Sequence, residues 1–166
     1  MAKPLVAQLF GIDENWTVDL ILGLVVGFLF IGLTKVTSVS MGAPAPIYPL
    51  TSFAEQINTI STLIVIGFLA PIGEESLFRG IFLWFSWANL KYFTIALVVS
   101  GIAFSAFHFT AYGAEIPAAY FGAFLFAVTA GLLTFQTKSL LPAIVMHSVV
   151  NISLFLQAEQ IFVVGT

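Results

Sequence analysis

Charged residues fall along this chain in a few narrow bands, separated by long apolar stretches. Asp19 and Lys35 bracket Leu20 to Thr34, and three later runs hold no Asp, Glu, Lys or Arg: Tyr92 to Ala114 (23 residues), Ile116 to Thr137 (22) and Ser139 to Ala158 (20). A helix crossing a ~30 Å hydrocarbon core needs about 20 largely apolar residues. The three later runs are long enough, and the first reaches that length if Lys35 extends its ammonium to the interface. A fifth segment, Gln56 to roughly Asn89, begins apolar and then meets Pro71, Ile72 and Gly73 and the polar group Glu74, Glu75 and Arg79. It reads as one long helix kinked at Pro71, because proline cannot donate to the carbonyl one turn back.

The pattern predicts an all-α integral membrane protein, a bundle of about five transmembrane helices, since helices alone satisfy every backbone polar group within one short segment. Residues 1–166 form a single membrane domain, with core helices over 56–158. Residues 1–17, with Leu5, Leu9, Phe10 and Trp16, form either a tail or an interfacial segment. Val36 to Ser52, with Gly42, Pro44, Pro46 and Pro49, is the clear irregular connection. A cleaved signal peptide is not expected, because the small-residue site Ala43-Pro44-Ala45 is followed by another proline. Five crossings put Lys3, Lys91 and Lys138 on one side and Lys35 on the other. That excess predicts a cytoplasmic N-terminus.

Composition sharpens this picture: 60% of residues are hydrophobic and 8% charged, whereas soluble domains carry roughly a quarter charged. Five scattered basic residues against eight acidic ones make no positive patch, so nucleic acid is excluded as a partner. The chain has no cysteine, which removes disulfides and thiolate metal sites.

Against this background the buried polar groups carry the chemistry. Glu75 and Arg79 are four apart, share a helix face and can pair. Glu74, rotated from Glu75 by about 100°, is left over. A histidine lies in each of two uncharged spans, with Phe104 four residues before His108 and Asn151 four residues after His147. If the hairpin turns at Lys91, Glu74 and His108 are each seventeen residues from it and lie at one level. His147 is nine residues from Lys138, about 13 Å deep against about 25 Å for Glu74 at ~1.5 Å per residue. A tilted helix, or a recessed helix start at Ser139 with Pro142 in its first turn, would close that gap.

Convergence of these groups points to hydrolysis: a carboxylate to take a proton from water, an imidazole to hold that water, and donors from His147 and Asn151 for an oxyanion. Ser76, Ser105 and Ser148 neighbour motif residues, but adjacent helix positions diverge in direction, and such hydroxyls usually pack or bond backbone. Glu74, His108 and His147 also make a two-histidine, one-carboxylate set of the kind that binds zinc, although no HExxH spacing organises two ligands on one helix. A proton or ion pathway is a further reading of buried Glu and His, to which the Glu-Glu-Arg spacing is less suited.

The three motifs in order, EExxxR (Glu74, Glu75, Arg79), FxxxH (Phe104, His108) and HxxxN (His147, Asn151), resemble those of the CPBP family of CAAX proteases and bacteriocin-processing or immunity proteins, which includes the Ras-converting CAAX endopeptidases. The resemblance covers about residues 56 to 158. It implies an intramembrane glutamic endopeptidase acting on a membrane-anchored protein or peptide, without a cofactor. Glu74 would be the general base, aided by His108; His147 and Asn151 would form the oxyanion site, and Glu75 with Arg79 would organise the cavity. An older description of the family as metalloproteases keeps zinc as an alternative, and its immunity members keep a non-proteolytic binding role as another. Relatives often carry about eight membrane helices, so five here suggest a homo-oligomer or partner subunit.

Overall fold

A computed structural model of the chain describes residue 10 and residues 15–40, 59–81, 90–108 and 117–164. Among these residues there are five helical segments and no strand. They are α1 (Trp16–Ser40), α2 (Thr59–Ile64, Val65–Leu69, Ala70–Glu75 and Ser76–Ile81 in unbroken succession), α3 (Leu90–Phe107), α4 (Pro117–Thr137) and α5 (Leu141–Val164). The protein is the all-α membrane bundle that the sequence pattern predicts. Most of the N-terminal stretch and the proline-rich connection after Ser40 lie outside the described residues. Helix α1 runs past Lys35 to Ser40, so the irregular connection starts later than Val36; nothing between Val36 and Ser40 breaks a helix, and the first glycine comes at Gly42.

Small residues set the closest helix pair. On α1, a Cβ added to Gly23 would lie 2.6 Å from the Pro142 carbonyl oxygen and 2.7 Å from Val145 Cβ, and one on Gly27 would lie 3.0 Å from Val149 Cβ. Two glycines four apart let backbones approach within a membrane, and the rising contacts make α1 parallel to α5. Leu22, Val26 and Phe30 turn toward the core. The opposite face, including Ile21, Val25, Phe28 and Leu33, is exposed, as lipid-facing residues are.

Helices α3 and α4 form an antiparallel hairpin. Phe93 stacks on Phe135 at 3.9 Å between ring centroids, a Cβ on Gly101 would meet Phe124 at 2.9 Å, and Ser105 Oγ donates to the Tyr120 carbonyl at 2.8 Å. The hydroxyl of Ser105, one of the three serines beside the motifs, is thus bonded to backbone. Ala123, Ala127 and Ala130 of α4 are buried beside Phe78, Phe104, Phe126 and Met146, so this small-residue face packs within the bundle.

The turn from α4 to α5 is short. Lys138 adopts φ 58°, a left-handed conformation that commonly ends a helix, and its ammonium sits 3.6 Å from the Phe135 ring centroid. Ser139 Oγ accepts from the Leu141 N–H at 3.1 Å, capping α5, and Pro142 occupies its first turn, where a missing N–H costs nothing. Ser139, Leu140 and Pro142 are buried, and Leu140 reaches the α2 backbone at Gly80. The start of α5 is therefore recessed, which brings His147 to the level of the glutamates despite the residue count.

Three segments, Trp16–Val36, Ile60–Ile81 and Tyr120–Thr137, are long and apolar enough to cross a membrane; Lys91–Phe107 and Leu141–Gln157 are apolar but shorter.

Candidate active site

Helix α2 is continuous past Pro71 but departs from the α-helical pattern on both sides of it. Two wide π-helical stretches, Val65–Leu69 and Ser76–Ile81, flank the short α-helical piece Ala70–Glu75. Wide turns of this kind leave main-chain carbonyls without their usual partners and are often found at functional sites. Each stretch is held from a neighbouring helix: Asn151 Nδ2 donates to the Ile66 carbonyl at 3.0 Å, and the buried Ser100 Oγ donates to the Phe78 carbonyl at 2.9 Å. Glu74 and Glu75 lie between these two fixed points.

Glu75 faces inward. Its Oε1 accepts from Arg79 Nη1 at 3.1 Å and from His147 Nδ1 at 2.8 Å, and both Glu75 and Arg79 are fully buried. The Arg79 guanidinium carbon lies 4.5 Å from the Phe104 ring centroid and 5.8 Å from that of Phe126, so aromatic faces help offset its desolvation. Among the described residues, Arg79 Nε and Nη2 and Glu75 Oε2 have no hydrogen-bond partner.

Glu74 faces the other way, and its side chain keeps 21% exposure. Its Oε2 stands 3.8 Å from His108 Nε2 and 3.9 Å from His147 Nε2, too far for direct hydrogen bonds. Both imidazoles are oriented from behind: His108 Nδ1 donates to the Phe104 carbonyl at 2.9 Å, and His147 Nδ1 donates to Glu75. In the neutral rings both Nε2 lone pairs are thus directed to the Glu74 side, where Oε2 has no hydrogen-bond partner among the described residues.

The structure brings Glu74, Glu75, Arg79, His108 and His147 into one cluster. Asn151 lies on the same α5 face but its amide is engaged with Ile66. Phe104 matters beyond its motif spacing, supplying the carbonyl behind His108, a ring under Arg79, and an edge contact to His147 at 5.8 Å. Sequence reasoning missed Phe126 on α4, whose ring centroid lies 4.7 Å from that of His147; an aromatic in an aromatic-rich span carries no distinguishing signal. It also missed the Ile66 carbonyl, which Pro71 does signal.

The separations from Glu74 are wider than those between zinc ligands. A tetrahedron with bonds of about 2.0–2.1 Å has edges of about 3.3 Å, shorter than both separations from Glu74, and among the described residues no group of three His, Cys, Asp or Glu side chains is arranged to hold a metal ion.

The helical bundle, its apolar spans and this Glu-Glu-Arg-His-His cluster define an integral membrane protein with a polar centre among its helices. The family model described as type II CAAX prenyl endopeptidase Rce1-like matches residues 56–153, more than half of the chain, and the chain belongs to that family of membrane proteases. No curated protein and no solved structure matches it.

Proposed function

We propose that the protein is an intramembrane endopeptidase that hydrolyses a peptide bond of a membrane-associated polypeptide with a water activated by Glu74. The observation that carries this reading is the convergence of His108 Nε2 and His147 Nε2 on Glu74 Oε2 at 3.8 and 3.9 Å. One water oxygen at about 2.8 Å from the carboxylate and from His108 would donate to both, and Glu74 would take its proton as the hydroxide adds to the scissile carbonyl carbon. On taking up a second proton at Nε2, His147, held at Nδ1 by Glu75, would present Nε2–H to the oxyanion. Collapse breaks the C–N bond, and Glu74 returns its proton to the leaving amine. No serine or metal is needed for these steps.

Glu75 and Arg79 serve as the frame that fixes His147. The N-terminus is cytoplasmic in this reading, and the exposed edge of Glu74 and His108 admits the substrate. Comparative proteomics of membrane fractions from cells carrying the wild type or Glu74→Gln tests the proposal: new C-termini should accumulate with the wild type alone, and identical termini in both would contradict it.

A further inference from the structure

The carbonyl of Ile66 has lost both donors that a helix would offer it. An α-helix pairs the oxygen of residue i with the N–H of i+4, and a π-helix with that of i+5. For Ile66 these are Ala70 and Pro71. The Ala70 N–H is directed to the Val65 oxygen, in the wide pattern, and Pro71 has no N–H. A buried carbonyl without a donor is costly, the more so in a membrane. Asn151 Nδ2, at 3.0 Å, supplies the bond. Gly67 makes room for it, since a Cβ there would lie 2.9 Å from Ile152 Cγ1, and a larger residue would push α5 away from α2.

Resting on the reading of Glu74 as the base, we infer that Asn151 is a positioning residue: its amide replaces the hydrogen bond that Pro71 withdraws from Ile66, and so holds the wide turn that aims Glu74. A wide turn inserts one residue into the helical register, and relaxing it would rotate every later side chain by about 100°. Two glutamates stand side by side in the sequence, so this register decides which of them meets His108 and which meets Arg79 and His147. One face of α5 thus fixes α2 twice, at Ile66 through Asn151 and at Glu75 through His147. Asn151 acts here through the backbone of α2.

The test uses the full chain purified in detergent, with turnover of a membrane-anchored peptide and amide hydrogen exchange over residues 59–75 measured on each variant. Asn151→Leu keeps the size and removes the donor. Exchange over 59–75 should quicken and kcat should fall about 100-fold, the scale of a misplaced catalytic group. In Asn151→Leu/Pro71→Ala, the restored N–H at position 71 can reach Ile66; exchange should slow again and kcat should recover to within about tenfold of wild type. Wild-type exchange in Asn151→Leu overturns the inference, as does a kcat loss that persists in a folded double variant, because a donor that touches the oxyanion is not replaced by a backbone N–H. If the double variant does not fold, exchange in Asn151→Leu decides. Exchange also decides if wild type proves to cleave nothing, an outcome that would overturn the protease reading and leave the Ile66 bond standing.

Discussion

His147 Nδ1 stands 2.8 Å from Glu75 Oε1 with both side chains buried, so one carboxylate oxygen serves both an arginine one turn away and an imidazole 72 positions along the chain. Glu75 is therefore one of the ties between α2 and α5, and removing its charge strands Arg79 and His147 together. Glu75→Gln should destabilise the protein by about 3–5 kcal/mol, the usual cost of breaking a buried pair from one side. Thermal unfolding in detergent measures this, and a melting point equal to wild type would contradict the shared role.

His108 sits at the edge of the cluster, with 15% side-chain exposure and its ring packed on Phe104 at 4.4 Å. His108→Asn should lower kcat about 100-fold or more, the typical contribution of an acid–base group, with a melting point close to wild type. Equal losses of kcat and stability would mark His108 as structural.

The α1–α5 contact has no spare volume at two glycines. Gly23→Val and Gly27→Val should each cost about 1–3 kcal/mol by overpacking, whereas Gly32→Ala should cost little, because nothing lies within 4 Å of its added Cβ. The ratio of folded to aggregated protein after extraction reads the difference.

Much of this was legible in the chain. Uncharged runs located four of the five helices and the apolar run after Gln56 the fifth, and spacing alone paired Glu75 with Arg79 and set Glu74 opposite His108, because depth along a hairpin is a matter of counting residues. Counting failed for His147, where the recessed turn at Ser139 and Leu140 changes the level of α5. The close approach of α1 to α5 was legible in the GxxxG spacing of Gly23 and Gly27. That Glu75 also binds His147 was not readable: rotation about α2 depends on two wide turns, and only the first has a sequence signal, Pro71.

Independence of metal is expected from the spread of the three donors Glu74, His108 and His147. Activity should survive exhaustive chelation, and the purified protein should hold far less than one zinc per chain. Loss on chelation with recovery on adding zinc would show that the donors close around an ion.

The most direct measurement is the turnover of a membrane-anchored peptide by purified Glu74→Gln beside wild type. The variant keeps the shape of the side chain and removes the base, and Glu74 Oε2 has no hydrogen-bond partner among the described residues to lose. Cleavage should fall by about 100-fold or more with an unchanged melting point. Cleavage at the wild-type rate would contradict the assignment of Glu74 as the group that activates water.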